Sequence, residues 1–345
     1  MPRHRLAIIG LGMAVTPHAR SLLDLTDRVE VAGAYSPTEA RRRAFAERFP
    51  FPLAGDLDAL LADRSIGAVA ILTPPNTHLD LVRRAAAAGK HIVLEKPLEV
   101  SLERAEALVA ACREAGVTLG IMLQHRFRPA AQALRERLGD GGLGRLVACN
   151  TSIPLWRPQS YYDEPGRGTR ARDGGGVLLT QGIHTLDLML SLAGPVDEVR
   201  AYAATSPVHR METEDLVAAA VRYAGGALGT IDATTAAYPG FPERIALVCE
   251  HGTASLAGTE LAIHQPGREA FRLEPDATPG GTGADPMAFP HDYHRALLAD
   301  FLDAIDSGRA PAVDGEAALQ VHRLIEALLE SARTGSPVAP ARRPG

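Results

Sequence analysis

No apolar run in this chain approaches the ~20 residues that a membrane span needs, and cysteine is scarce, at three in 345 residues. Cys112, Cys149 and Cys249 are odd in number and far apart. Neither a disulfide framework nor a zinc-ligand spacing follows, and a reducing compartment is expected. Charge of one sign is also lacking: 36 basic and 41 acidic residues are well mixed, for a net charge of −5. That excludes a chain advertising a nucleic-acid or membrane surface. Residues 1–5 lead into only four apolar residues, 6–9, with no small-residue cleavage site. A secretory signal is not expected, and the cytoplasm is the expected location. What is present is 46% hydrophobic and 22% charged residues, enough apolar material for two cores. At ~150 residues per domain the length suggests two domains.

The first third alternates short apolar runs with helical patterns. Strands are predicted at 6–9, 29–35, 68–72, 91–94 and 117–123, and helices at 18–25, 38–48, 57–62, 78–88 and 102–115. Gly89 and Gly116 sit just past two of these helices, where left-handed caps belong. Continuous apolar strands alternating with helices predict a parallel sheet covered on both faces, over residues 1–124. The pattern then changes. After a helix at 129–138 come longer strand-like runs at 146–153, 196–205, 216–223, 227–235, 244–249 and 253–256, with glycine-containing turns between several of them. These predict a second, α+β domain over 125–337 with a large, mostly antiparallel sheet. Helices are predicted at 183–192, 291–306 and 315–333, a Pro/Gly/Thr-rich loop at 275–290, and a flexible tail at 338–345.

Several motifs fall at the ends of the parallel strands. Gly10-Leu11-Gly12 follows the first strand and opens a helix, the context a dinucleotide fingerprint requires. Gly10 permits the tight turn, Gly12 lets backbone approach a pyrophosphate, and Met13 follows in the same turn. Val15 occupies the third glycine position, so the motif is incomplete, and steric need alone also produces such turns. After the second strand, Ser36 offers no charge to repel a 2′-phosphate, Ser36 and Thr38 can donate to it, and Arg41 can pair with it. NADP(H) is therefore favoured over NAD(H). The alternative is that residues 41–43 are only the solvated face of a helix. In Thr73-Pro74-Pro75-Asn76-Thr77-His78, the prolines predict an extended turn at the ligand-binding edge, with Thr73, Pro74, Asn76 and His78 beside the nicotinamide ribose. Asn76 or Thr77 also suits a helix cap. Glu95-Lys96-Pro97 ends the strand at 91–94 at the same edge, where Glu95 and Lys96 are expected against the cofactor and the ammonium, at the mouth of a buried strand, can polarise a hydroxyl or shuttle its proton.

The stretch 174–187 is the richest in the second half. Three glycines let backbone pass close to something, and Thr180, His184 and Asp187 recur at helical spacing. His184 suits acid–base work, or else is a core histidine bonded to backbone.

These motifs occur in an order and spacing that resemble the glucose–fructose oxidoreductase, inositol dehydrogenase and MocA-like (Gfo/Idh/MocA) family, over essentially the whole chain. The resemblance implies an N-terminal Rossmann domain, a C-terminal domain with an open, mostly antiparallel sheet, and hydride transfer between NAD(P) and a sugar, glycoside, anhydrosugar or nucleotide sugar. The substrate is expected between the nicotinamide and the second-domain sheet. Carried over, Lys96 orients the reacting hydroxyl and assists its proton transfer, His184 is the second acid/base or a substrate anchor, and Asp187 contacts substrate. Many members carry Asp or Asn four residues before the histidine. Here Thr180 stands there, which throws proton transfer onto Lys96 and His184.

Further substrate contacts are assigned to Arg126, Trp156, Arg157, Tyr161, Tyr162 and Arg167, whose rings and forked donors suit sugar hydroxyls or a carboxylate. The acidic run 211–215 is read as a solvated turn rather than a pocket wall. No ligand cluster suggests a metal. A hydrolase or lyase that oxidises its sugar transiently is the alternative on the same fold. A sensor without chemistry is disfavoured by the presence of both Lys96 and His184. An open sheet face carrying residues 218–221 and 230–235 implies a homodimer or homotetramer.

Overall fold

The computed structural model describes residues 3–275 and 289–341. The chain divides into two units, Met1–Gln124 with Pro290–Leu319, and His125–Phe289 with Gln320–Gly345. The segment from Pro290, expected with the second unit, thus belongs to the first. Most of the loop expected at 275–290 lies outside the described residues.

The first unit is built on six parallel strands: β1 (His4–Ile9), β2 (Val29–Tyr35), β3 (Leu53–Ala54), β4 (Ala68–Ile71), β5 (His91–Leu94) and β6 (Leu119–Ile121), in spatial order β3-β2-β1-β4-β5-β6. β1, β4 and β5 are almost wholly buried, which is why they read as unbroken apolar runs. The two-residue β3 is too short to leave such a signal. Register lines the strand ends up: Ile9 pairs with Tyr35 and with Ile71, Ile71 with Leu94, and Leu94 with Ile121. The residues that follow are therefore delivered to one edge. Strand order reverses beside β1, making this edge a topological switch point. Gly89 and Gly116 take positive φ after their helices, as expected. Helix Asp292–Ser307 packs on helix Val15–Asp24, and its Phe301 ring fills the space over Gly120.

The second unit carries eight strands: β7 (Leu146–Pro154), β8 (Val196–Ala204), β9 (Leu216–Tyr223), β10 (Leu228–Thr234), β11 (Arg244–Cys249), β12 (Gly252–Ala257), β13 (Glu260–His264) and β14 (Phe271–Leu273), in order β14-β13-β12-β11-β7-β10-β9-β8. All neighbours are antiparallel except β7 and β10. That parallel pair is close: a Cβ on Gly229 would stand 1.8 Å from the Cys149 carbonyl oxygen. Burial alternates along β9 to β11, so one face is covered, in part by helices Pro129–Gly139 and Ile183–Ala193. The chain is still held at residue 338, the start of the expected tail, because Val338 and Val199 exchange backbone hydrogen bonds. No single described helix is long and apolar enough to cross a membrane.

Candidate active site

The edge of the first sheet begins with the glycine turn. Gly10 has φ +107°, and a Cβ there would lie 2.7 Å from the Leu72 carbonyl carbon, so both conformation and space demand glycine. Around Gly12 nothing lies within 4 Å of a would-be Cβ, which leaves open room beside the backbone. Met13 is exposed. Helix Val15–Asp24 starts without a side-chain cap or an acidic residue in its first turn. Val15 N–H is taken by the Gly12 carbonyl at 3.3 Å and Pro17 has no N–H, so the uncapped first turn with the open space at Gly12 is what fits the pyrophosphate of a dinucleotide.

At the end of β2, Ser36 is buried while Thr38 and Arg41 are exposed. Arg42, which the sequence did not single out, is the arginine that reaches back, donating to the Ser36 carbonyl. Arg48 donates to Thr16 in the first turn of helix Val15–Asp24 at 2.8 Å. Arg43 pairs with Glu39 on its own helix.

The Thr73–His78 turn departs from expectation. Residues Pro75–Thr77 form a 3₁₀ turn. Thr77 stands at the N-cap of helix His78–Ala87, but its side chain makes no capping bond: the hydroxyl donates to the Pro74 carbonyl at 2.7 Å and lies 2.8 Å from Thr73 Oγ1. Thr73 is half-buried, and Pro74 and Asn76 are exposed. His78 does not face a cofactor. It is 0% exposed, with Nε2 2.8 Å from the Thr73 carbonyl and Nδ1 3.1 Å from the carbonyls of Pro97 and Leu98. Burial lowers its pKa against the pull of those carbonyls. The ring is a tie between the Thr73 turn and the segment after Lys96.

Glu95 is likewise turned inward. Oε1 accepts from His18 Nε2 at 2.7 Å and Oε2 accepts the backbone N–H of Lys96 at 3.0 Å. Burial by itself would raise this carboxyl. The His18 hydrogen bond and the pull of His18, His294 and Lys96 outweigh it and hold the pKa down to about 2. Lys96 follows at the sheet edge, half-buried. The sequence contains only two lysines, Lys90 and Lys96. Lys90 spends its ammonium on the Asp63 and Ile66 carbonyls. In a chain that uses arginine wherever a charge suffices, a lysine at this edge was a readable signal.

In the second unit the glycine loop is organised by the acidic run that was read as solvated. Glu214 accepts from the backbone N–H of Gly176 at 3.1 Å and of Leu178 at 3.4 Å, and burial raises its pKa. Asp215 is fully buried, accepting from Ser206 N and Oγ and from His209 Nδ1, each at 2.6 Å. His209 Nε2 in turn lies 2.8 Å from the Arg157 carbonyl. For Glu214 and Asp215 the solvated reading fails, because each of these oxygens has a donor from the glycine loop or the neighbouring turn, while Glu212 is exposed as expected.

Thr180, His184 and Asp187 are not on one continuous helix. Thr180 ends the short helix Val177–Thr180, and a new helix starts at Ile183. The two segments Arg170–Thr180 and Ile183–Ala193 meet at 47°. Thr180 donates to the Gly176 carbonyl at 2.7 Å. Asp187 is 0% exposed and holds Arg126 in a two-pronged pair at 2.7 and 2.5 Å. Burial raises the Asp187 carboxyl, with Arg126 opposing. Asp187 is therefore sealed from substrate. His184 is half-buried, and its ring stacks on His125 at 4.8 Å and 28°. His125, also missed, lies with Nε2 2.7 Å from Arg128 Nη2. An arginine can only donate, so this nitrogen accepts and Nδ1 carries the proton, 3.5 Å from Glu243.

Of the remaining substrate assignments, two side chains are enclosed. Arg157 is buried and donates to the Trp156 carbonyl at 2.7 Å, and Tyr162 is buried with its hydroxyl 2.8 Å from Thr235 Oγ1. Trp156 is half-buried against the exposed ring of Tyr238, edge to face at 5.4 Å. Arg167 lies over the Tyr161 ring at 4.8 Å and donates to its hydroxyl at 3.1 Å.

An uncapped helix behind a glycine turn, with a lysine delivered to the same sheet edge, is the arrangement a nicotinamide-dependent oxidoreductase requires. Residues 4–123 match the model of an oxidoreductase family with an NAD-binding Rossmann fold, and residues 131–255 match the GFO/IDH/MocA C-terminal domain. The chain belongs to the GFO/IDH/MocA oxidoreductase family. It is 29% identical to a D-xylose 1-dehydrogenase (NADP(+)) of Haloferax volcanii, over 90% of this chain and 91% of that one. It is 27% identical to a myo-inositol 2-dehydrogenase of Thermotoga maritima, over 90% and 91%. The WlbA dehydrogenase of Bordetella pertussis, solved with NADH and UDP-GlcNAcA, superposes with a TM-score of 0.85 at 28% identity, covering 99% of this chain and 100% of that one.

Proposed function

We propose that the chain interconverts a secondary hydroxyl and a ketone, or a hemiacetal and a lactone, on a sugar-like substrate, with NADP(H) preferred over NAD(H). The bound nicotinamide supplies the hydride acceptor or donor. Lys96 takes the hydroxyl proton in the oxidative direction and returns it in the reductive one. His184 acts as the second acid/base or anchors a neighbouring hydroxyl. Thr180 has no carboxylate to share in this, so the proton rests with those two groups.

The observation that carries the reading is Lys96 itself: it is held at the edge where Gly10 turns, by the aligned ends of β1, β4 and β5. The test is turnover of D-xylose, myo-inositol and UDP-GlcNAcA with each cofactor, followed by nicotinamide absorbance. Lys96→Ala should lower kcat by about a hundredfold or more while leaving cofactor affinity in place. Full turnover by that variant would sink the reading.

The preference for NADP(H) is supported by Ser36, which brings no carboxylate to the end of β2, and by Arg41 and Arg42 beside it. A homodimer or homotetramer is supported by the outer face of the second sheet, which exposes Tyr202 at 77% and Leu228 at 62% beside Ala218 and Thr230. Light scattering should show an oligomer that Ala218→Arg disrupts. The balanced charge and scarce cysteine support a cytoplasmic enzyme without nucleic-acid or membrane partners.

A further inference from the structure

The Glu95 carboxylate divides its oxygens between the core and the reacting edge. Oε1 points inward to His18 Nε2, and Oε2 points to the backbone N–H of Lys96. His18 is 0% exposed, so its bond to the carboxylate forms in a dry environment, where charge-assisted hydrogen bonds are strong. The last torsion of a glutamate is broad and roughly two-fold. A bond to its own neighbour's N–H does not by itself select one orientation; the bond from His18 does. The His18 ring is steadied by His294, whose ring meets it edge to face at 5.2 Å and 82°.

We infer that His18 is a positioning residue for the proton transfer: by holding Glu95 Oε1 it directs the other oxygen, and the carboxylate's charge, onto Lys96. This rests on the reading of Lys96 as the group that handles the proton. The ionisable groups facing the carboxylate are His18 from helix Val15–Asp24, His294 from helix Asp292–Ser307, His78 from helix His78–Ala87, and Lys96 itself. Burial keeps His294 neutral down to about 3 and lowers His78 as well, so neither supplies a competing cation near neutral pH. His18, Glu95 and His294 also bring one potential ligand atom each within 4.8 Å of one another. However, His18 Nε2 and Glu95 Oε1 are already joined by a proton, so the trio works as a hydrogen-bonded network. Without the His18 donor the buried carboxylate loses its main support and takes up a proton, and Lys96 loses the anion beside it.

The two-lysine composition makes this directly measurable. Acetic anhydride labelling of the full chain across pH, with Lys96 and Lys90 resolved by peptide mass spectrometry, reports the titration of Lys96 without any substrate. His18→Leu should move the Lys96 midpoint down by about one pH unit. Glu95→Gln should move it as far, the double variant no further, and His18→Gln, which keeps a donor, should restore most of the shift. A wild-type midpoint in Glu95→Gln overturns the inference even if His18→Leu does not fold. Shifts that add in the double variant overturn it too. In turnover, His18→Leu should lose about tenfold or more in kcat with cofactor affinity nearly unchanged. A fully active Lys96→Ala would sink the parent reading. An inactive Lys96→Ala beside an unmoved midpoint in Glu95→Gln would sink this inference alone.

Discussion

A Cβ on Gly176 would stand 1.7 Å from the carbonyl oxygen of Glu214. That carbonyl also accepts the backbone N–H of Val177 at 2.9 Å, and the Glu214 carboxylate accepts from Gly176 itself. The glycine loop and the acidic run are thus one structure, closed from both sides. Because the conflict is with backbone, no rotamer change relieves it.

Gly176→Ala should therefore destabilise the protein by about 3 kcal/mol, measured by urea denaturation. Wild-type stability in this variant would mean that the loop and the run are not in contact.

Acid sensitivity should trace in good part to His294, which with His18 and His78 is one of the three buried histidines among the described residues of the first unit. His294 has a folded pKa lowered from the ordinary 6.5 to about 3, because burial penalises the charged form. Below 6.5 the unfolded chain therefore binds a proton that the folded chain refuses. Stability falls as pH drops from 6.5 towards 3. Glu95 adds in the same direction below about 4.5, where its unfolded form takes up protons first. In denaturation midpoints against pH, His294→Leu should flatten the slope between pH 6.5 and 4.5. An unchanged slope would place the acid sensitivity elsewhere.

Cofactor choice should respond to Arg41 and Arg42 differently. By calorimetry, NADPH should bind wild type more tightly than NADH. Arg41→Ala should weaken NADPH by about tenfold and leave NADH nearly unchanged. Arg42→Ala should weaken both, because its guanidinium holds the Ser36 carbonyl that shapes the end of β2. Equal affinity for the two cofactors in wild type would remove the preference, and tighter NADH binding would reverse it.

Much of the frame was legible in the chain order of residues. The spans of β2 and β5 match the predicted runs end for end, because their buried positions are all apolar and the polar Glu30 and His91 fall only where the strand is partly exposed. Gly89 and Gly116 were readable because a left-handed residue at a helix end selects glycine whatever surrounds it. The short β3 and β14 were not, since two or three residues make no period. The motif positions Gly10 and Lys96 were found at the sheet edge, where strand ends put them.

What those motif residues do there was settled by distant partners. Sequence spacing placed Glu95 and His78 at the ligand edge, yet His18, 77 residues away, turns Glu95 inward, and carbonyls on two separate turns enclose His78. Asp187 was assigned to substrate and is bound by Arg126, 61 residues before it. His125 and His184, 59 positions apart, stack on one another. The sequence by itself determined the two sheets and the strand-end positions, because periodicity and glycine conformation are local properties. Only the tertiary structure decided which polar side chains stay open to a ligand. A buried charge must find its partner wherever the fold brings one, and that choice leaves no trace in spacing.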